Sequence, residues 1–283
     1  MRDKINLIIF GLLVVLAPTG VWAQEEEDKV NNVFQGTRVV NGQSANLADD
    51  GVLMLMIQHR FGDISGGFYD LFGLDVASMR LGFEYGLGKN LNLGVGRSTW
   101  LKTFDAFAKW RLVQQKNDFP FTAVVSAGAS LPTMRDHFPA AYDQFSDKVS
   151  WNFQVLLAKN VDNFGIHLSP GFLQTGYMPE LNKELSVFTL GTAAALRISK
   201  KVSVNLEYLV PFSSDIQGDN ALSMGVDIDT GGHLFQLVLS NNQRMFHQAV
   251  YTNTTGSLSG SHLFLGFNLI REFKLKYKDM WTD

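Results

Sequence analysis

The lengths of the connections between strands constrain this chain more than any other feature of its sequence. Segments with one apolar face recur along it, and the connections after even-numbered segments are tight, such as Gly88-Lys89-Asn90 and Thr230-Gly231. Most connections after odd-numbered segments are long, such as Leu131 to Asp147 and Asn242 to Gly260, and only the link near Trp100 is short. The pattern predicts twelve strands, at residues 52–60, 77–87, 90–98, 103–114, 119–130, 148–160, 163–173, 185–198, 201–210, 221–229, 232–241 and 261–273.

This sorting of connections by length is typical of one architecture. Outer-membrane β-barrels have tight periplasmic turns and long outer loops, and an even number of strands closes without an edge. A soluble β-sandwich has no reason to sort its loops in this way. We therefore predict an all-β fold, a single antiparallel up-and-down transmembrane β-barrel over residues 52–273 with a C-terminal tail at 274–283. A soluble secreted β-protein is the alternative, and membrane fractionation separates the two.

The start of the chain predicts export. Arg2 and Lys4 precede an apolar run from Ile5 to Ala17, and Val21-Trp22-Ala23 has the small-residue ending of a signal peptide, so residues 1–23 are predicted to be removed. The chain has no cysteine, which excludes disulfides, thiolate zinc sites and a lipoprotein anchor. The predicted location is the cell outer membrane, with its lipid and the barrel assembly machinery as partners.

Residues 24–51 differ in character from the barrel. Their acidic start, Glu25 to Asp28, is predicted to be a solvated tail, whereas Val33 to Gly42 contains enough apolar residues to pack. We hypothesise that this segment caps the periplasmic mouth or enters the lumen, where Arg38 would meet a lumen carboxylate.

Alternation along the strands separates lipid-facing from lumen-facing side chains, because successive residues of a strand point in opposite directions. Charged residues are costly in hydrocarbon and are assigned to the lumen. Two interpretations stay open: the charges pair with one another and fill a narrow barrel, or they form rings that select a permeant. The candidates are Arg80, Glu84, Asp105, Lys109, Arg111, His167, Glu207, Asp227, Asp229 and His262.

Several strings of this sequence resemble one family of barrels. They are GTRVVNG at Gly36 to Gly42, HRFGDI at His59 to Ile64, LFGLD at Leu71 to Asp75, RLGFEYGL at Arg80 to Leu87, GVGRS at Gly94 to Ser98 and DIDTGGHLFQL at Asp227 to Leu237. They are similar to the DUF5777 family of β-barrel proteins from Gram-negative bacteria. The resemblance covers nearly the whole mature chain and implies an outer-membrane barrel of unassigned biochemical function, with no catalytic residues.

The sequence offers only weak candidates for catalytic and metal sites. His167 and Ser169 resemble the pair in outer-membrane phospholipase A, but alternation turns both inward and Pro170 follows the serine. Asp227 and Asp229 share a face, yet a cation would need further oxygen ligands. His233 and His262 are only two potential metal ligands. No enzyme activity, cofactor or metal is predicted.

Three functions follow from these observations. The first is a channel for a small polar solute. The second is a structural barrel that binds a periplasmic or outer-membrane partner through residues 24–51 or the outer loops. The third is a lipid-acting hydrolase using His167 and Ser169. Nucleic-acid binding is not expected, because the formal net charge is −3 and no basic stripe is present.

Overall fold

The computed structural model describes residues 32–116, 119–216 and 218–275. The predicted signal peptide, the acidic start of the mature segment and most of the predicted C-terminal tail lie outside the described residues. Within them, twelve antiparallel strands form a closed barrel in which each strand pairs with its sequence neighbours and β1 pairs with β12. The strands are β1 Val52–Asp63, β2 Ala77–Leu87, β3 Leu91–Ser98, β4 Phe104–Val113, β5 Thr122–Leu131, β6 Ser150–Val161, β7 Phe164–Gln174, β8 Ser186–Arg197, β9 Val202–Phe212, β10 Ala221–Asp229, β11 His233–Ser240 and β12 Phe264–Lys274.

The predicted fold class is confirmed, and each predicted strand has a counterpart in the barrel. At the outer rim, the observed strand bounds differ most from the predicted ones at the end of β1 and the start of β12. β1 continues to Asp63, which pairs with Phe264 across a β-bulge. β12 starts late because Ser261 has a φ of 56° and His262 donates its backbone N–H to Ser257 O within the outer loop.

The alternation that predicts the two faces of the wall is present in the structure. β1 alternates buried and half-buried residues along its whole length. The outward residues are large and apolar and form the surface that hydrocarbon covers in a membrane barrel. Exposed members of this surface include Leu81, Phe83, Leu93, Val95, Phe104, Trp110, Leu112, Trp151, Phe153, Phe188, Leu206, Met224, Leu237 and Leu265. Among the described residues, no helix is long and apolar enough to cross a membrane.

Two short helices belong to the outer loops, α1 at Phe145–Lys148 and α2 at His247–Thr252. Five of the six residues of α2 are buried, because the helix turns into the outer mouth of the barrel. Its Val250 and Tyr251 pack against Leu173, Leu209 and Ala221 near the outer ends of three strands. The outer mouth is therefore covered by the loop that joins β11 to β12.

The periplasmic end is filled by the residues that precede β1. Residues 37–44 form a hairpin, here called the lumen hairpin, in which Val39 N donates to Gly42 O and Ser44 N donates to Thr37 O, each at 3.0 Å. Val33 and Phe34, before the hairpin, are buried together with its Val39 and Val40. After the hairpin the chain leaves at the rim, where Asp50 bridges to β2. Residues 32–51 thus lie inside the barrel rather than beside it.

Candidate functional site

A single carboxylate of the wall receives the tip of the lumen hairpin. Glu207 on β9 accepts backbone hydrogen bonds from Val40 at 3.4 Å and from Asn41 and Gly42 at 2.9 Å. A Cβ atom at Gly42 would lie 2.9 Å from Glu207 Oε1, so glycine permits this close approach. Successive N–H groups that converge in this way form an anion-binding concavity. The hairpin is therefore held by its backbone.

The prediction for Arg38 was right about the lumen and wrong about the partner. Its side chain is buried, but among the described residues it forms no ion pair with a carboxylate. Its guanidinium donates to Asn41 O at 2.9 Å and lies 5.6 Å from the centre of the Phe107 ring. The physical reason is orientation, since Arg38 faces β4 while Glu207 extends from β9 and meets the hairpin tip.

Side chains around Glu207 extend this network to the strands that close the barrel. Arg60 donates to Asn41 Oδ1 at 2.8 Å and to Asn268 Oδ1 at 2.9 Å. Gln236 donates to Val39 O at 2.7 Å and Asn268 to Val40 O at 3.0 Å. The hairpin therefore connects β9, β11 and β12 with β1, and its release would break several buried hydrogen bonds together.

Two wall ion pairs in the described part of the chain lie on the opposite side of the lumen. Arg80 Nε is 2.8 Å from Asp105 Oδ1, and Lys109 Nζ is 2.9 Å from Glu84 Oε1. Lys109 also donates to Asn46 O at 2.8 Å, which fixes the chain after the hairpin. These four charges pair with one another, as the first interpretation of the lumen charges expects.

The other predicted lumen residues divide into two groups. His167 and Asp227 are buried inside the barrel; Asp227 accepts hydrogen bonds from Asn205 and Gln236 rather than from a cation. Arg111, Asp229 and His262 are not enclosed, because they lie at or beyond strand ends. Arg111 and Asp229 belong to the periplasmic rim. His262 belongs to an exposed outer loop and forms an ion pair with Asp63.

The sequence reasoning missed several polar residues of the lumen. Arg60 and Gln58 are fully buried on the inward face of β1, and Asn41 carries much of the hairpin network. Alternation could have found the first two, since they share a face two residues apart at the end of the predicted strand. No group of three or more His, Asp or Glu side chains suited to a metal occurs among the described residues.

Glycines on neighbouring strands make room for the Arg80 side chain. A Cβ atom at Gly96 would lie 2.2 Å from Arg80 Nη2, whose guanidinium is held by Asp105. We expect Gly96→Ala to destabilise the barrel by about 1–3 kcal/mol, because overpacking forces the ion pair apart. Urea unfolding in lipid vesicles measures this. Gly232→Ala is the control, since nothing lies within 4 Å of its Cβ position; equal midpoints for the two variants would contradict the prediction.

Helix α2 places an uncharged imidazole above the hairpin. Burial, and then the charge of Arg38, lower the pKa of His247 to about 3. Its ring lies 4.9 Å from that of Tyr251. Between α2 and the hairpin is a cavity of about 20 Å³, bordered by Gln43, Ser126 and Asn152. That volume holds about one water molecule, so the space between α2 and the hairpin is filled in this conformation.

The lowered pKa of His247 predicts that acid weakens the attachment of α2. When α2 leaves the lumen, the imidazole regains its ordinary pKa of about 6.5 and takes up a proton below that pH. The free energy that favours α2 in the lumen over released α2 therefore falls by about 1.4 kcal/mol per pH unit as pH falls from about 6.5 towards 3. Hydrogen exchange of the α2 amides should be faster at pH 4.5 than at pH 7, after correction for intrinsic rates. His247→Leu should remove most of this difference; an unchanged difference would refute the assignment.

Solved structures of similar fold are outer-membrane barrels. The NanC porin is 9% identical, and the match covers 80% of this chain and 100% of that chain with a TM-score of 0.51. A KdgM porin in complex with disordered oligogalacturonate is 8% identical over 78% of this chain and 99% of that chain, with a TM-score of 0.49. Outer membrane phospholipase A from Escherichia coli is 7% identical over 82% and 97%, with a TM-score of 0.45. At such identities a likeness shows the fold alone.

Comparison with curated protein sequences finds no match. A family profile, described as a membrane-bound beta barrel domain, matches residues 34–273. The match includes most of the segment that fills the lumen as well as almost all of the wall. It agrees with the closed twelve-stranded architecture and with the apolar outer surface. The chain therefore belongs to the DUF5777 family of membrane-bound β-barrels.

Proposed function

We propose that this protein is a gated channel for a small polar solute across the outer membrane. The observation that carries the proposal is the way the lumen is filled. The lumen hairpin is a separate element that enters from the periplasmic rim, and polar contacts to Glu207, Arg60, Gln236 and Asn268 hold it. Its displacement would leave a polar wall, which is what an aqueous path requires.

The character of the contacts supports a hairpin that moves. A permanent filling gains most from apolar packing, because buried polar groups contribute little net stability. Here the apolar contacts of residues 32–51 form three small clusters, at Val33, Phe34, Val39 and Val40, at Ala45 and Leu47, and at Ala48. The tip of the hairpin, at Asn41 and Gly42, contacts the wall through hydrogen bonds, which water or a solute can replace. The NanC barrel, similar in fold, is a porin by its name.

A structural barrel that binds a partner is the second candidate, and one observation favours it. The first outer loop, residues 64–76, exposes a cluster of apolar side chains, with Phe68 81% and Tyr69 94% exposed. Large exposed apolar patches often mark interaction sites. Loss of partner binding in Phe68→Ser/Tyr69→Ser, with normal conductance, would assign that role to the loop.

The geometry of His167 and Ser169 does not support the hypothesis of a lipid-acting hydrolase. Ser169 and His167 are 5% and 2% exposed, and both face the lumen rather than lipid. The His167 ring makes an edge contact with Phe34, with 5.9 Å between ring centres. We propose no catalytic role for the pair; lipase activity in detergent that Ser169→Ala abolishes would refute this.

Export is part of the proposal. The signal peptide is expected to be cleaved after Ala23, so the mature protein would begin at Gln24. Edman sequencing of protein extracted from outer-membrane fractions tests both the cleavage site and the location.

Single-channel recording tests the channel. The refolded mature protein is compared in planar bilayers with a variant that lacks residues 24–51. We expect brief openings of the mature protein and sustained current from the variant, because the deletion removes the lumen hairpin and, with it, the support beneath α2 in the outer mouth. Heat-modifiable migration on gels confirms that both barrels are folded. Silence of both folded proteins would refute the channel and favour the structural barrel.

A further inference from the structure

The wall of the lumen has a charged part and an uncharged part. Apart from Lys159, near the periplasmic end of β6, the buried charges of the wall lie on β1, β2, β4, β9 and β10. The four consecutive strands β5–β8 contain no Asp or Glu, and their other cation, Arg197, ends β8 at the periplasmic rim. Glu207, which holds the hairpin tip, pairs with Ala193 of β8, so the charged network meets this third of the wall along one edge.

Uncharged hydrogen-bonding groups face the lumen along this third of the wall. We call them, with the residues of α2 that face them, the uncharged strip. Its buried members are Ser126, Ser130, Asn152, Gln154, His167, Ser169, Thr189 and Tyr251, and the half-buried His247 adjoins them. The cavity between α2 and the hairpin lies against this strip at Ser126, Ser130 and Asn152, and Arg38 and Asp105 border its other side. Hydroxyl, amide and imidazole groups of this kind both donate and accept hydrogen bonds.

Several groups of the uncharged strip have no hydrogen-bond partner in the described protein. They are Ser126 Oγ, His167 Nε2 and His247 Nε2. Leaving a buried polar group unpaired costs about 1–3 kcal/mol, and native proteins rarely collect such groups without a use. The charged part also contains single unpaired atoms, at Gln58, Glu84 and Asn205, but the other polar atom of each of these side chains has a partner.

The two α2 residues of the strip stay uncharged at neutral pH. The pKa of His247 lies at about 3, and burial raises the pKa of the Tyr251 hydroxyl. That hydroxyl lies within hydrogen-bonding reach of Ser169, Thr189 and Gln154. A continuous neutral surface therefore runs from α2 down the wall formed by β6–β8.

We propose that the solute path runs along the uncharged strip, between the lumen hairpin and β5–β8, and that it takes uncharged polyhydroxylated solutes such as small sugars and polyols. Such solutes exchange hydrogen bonds with the unpaired groups of the strip. Along β5–β8 an ion loses hydration without meeting an opposite charge, which is costly. The two charged groups that border the cavity, Arg38 and Asp105, lie on its β4 side, and Asp105 is already paired with Arg80. The inference rests on the proposed channel function, because the hairpin has to shift before the cavity of about 20 Å³ admits a sugar.

Cysteine labelling tests the position of the path without requiring current. The chain contains no cysteine, so each single-cysteine variant of the full mature protein carries one reactive site. Ser126→Cys and Thr189→Cys lie on the strip. Ser223→Cys is the matched control, since Ser223 is equally buried but bonds to Asn41 of the hairpin. The probes are methyl methanethiosulfonate, which is small and neutral, and the negatively charged sulfonatoethyl reagent.

We expect the neutral reagent to label both strip variants about tenfold faster than Ser223→Cys, because thiol reactivity follows access. We also expect it to label them about tenfold faster than the charged reagent does. Equal rates at Ser126→Cys and Ser223→Cys would overturn the position of the path. Equal rates of the two reagents at the strip would overturn its preference for neutral solutes. Gel migration identifies variants that fail to fold, and Ser169→Cys then replaces the failed strip variant.

Swelling of proteoliposomes tests the solute class. With full-length protein, swelling in arabinose should be at least several-fold faster than swelling in sodium gluconate. Equal swelling in both would overturn the solute class while leaving the channel intact. No swelling and no current would refute the channel and the solute class together, and the labelling ratios would still show whether the strip is the accessible side of the hairpin.

Discussion

Replacing Glu207 with glutamine should raise the ratio of open to closed channels on the order of 100-fold. The carboxylate accepts three backbone N–H groups of the lumen hairpin through its two oxygens, whereas an amide keeps one acceptor oxygen and turns its NH2 donor towards the remaining N–H. Hydrogen bonds to a charged acceptor are worth about 1.5–3 kcal/mol each, so a net loss of about 3 kcal/mol is expected. That loss favours release of the hairpin over the held state. Single-channel open probability of the full mature protein measures it.

The control for this experiment is Asp229→Asn. It makes the same change of charge at an exposed carboxylate on the periplasmic rim, where no contact with the hairpin tip exists among the described residues. Its open probability should equal that of the unmodified protein. If Glu207→Gln also leaves open probability unchanged, the hairpin is not the gate and the filled barrel is a permanent structure.

Breaking the buried pair of Arg80 and Asp105 should be the most destabilising single change in the wall. Asp105→Ala leaves a guanidinium that is 1% exposed without its carboxylate, and removal of one partner of a buried pair costs about 3–5 kcal/mol. Replacing both partners, as Arg80→Met/Asp105→Leu, should restore most of that loss, because apolar groups of similar volume need no counter-charge. Urea unfolding in lipid vesicles, followed by tryptophan fluorescence, measures both.

A solvent-exposed ion pair serves as the control for Asp105→Ala. Lys148 and Asp143 form an ion pair in an outer loop, where the carboxylate is 66% exposed. Lys148→Met should change the free energy of unfolding by less than about 1 kcal/mol, since water screens such pairs. A loss for Asp105→Ala as small as that for Lys148→Met would mean that water enters the lumen around Arg80.

The strands of the barrel wall could be predicted from the sequence, but the contacts of the segment that fills the lumen could not. Strand positions follow from alternation and turn residues, which are local properties, and the inward set of Arg80, Glu84, Asp105 and Lys109 follows from them. The partner of Glu207 is the backbone of residues 40–42, about 165 positions earlier in the chain. A backbone N–H group carries no sequence signature, so pattern reasoning expected the side chain of Arg38 to meet a lumen carboxylate, which was not specified.

The helix α2 escaped prediction for a related reason. Six residues are too few for a helical period to be recognised, and isolated helices of that length are not stable in water. His247–Thr252 is helical because the barrel mouth buries it against Leu173, Leu209 and Ala221. Tertiary packing therefore decides both its conformation and its position, and neither can be predicted before the wall exists.

The attachment of the lumen hairpin at the rim determines what happens after it leaves. Gly51 has a φ of 73° and its N–H donates to Gly86 O, while its carbonyl accepts from Leu275 N, so this residue stays fixed to the barrel. Only residues 45–49 separate the hairpin from that anchor region, a tether of at most about 17 Å. A hairpin on so short a tether remains at a local concentration in the millimolar range or above. Re-entry is then a unimolecular step whose rate does not depend on how much protein is present, and each channel closes itself.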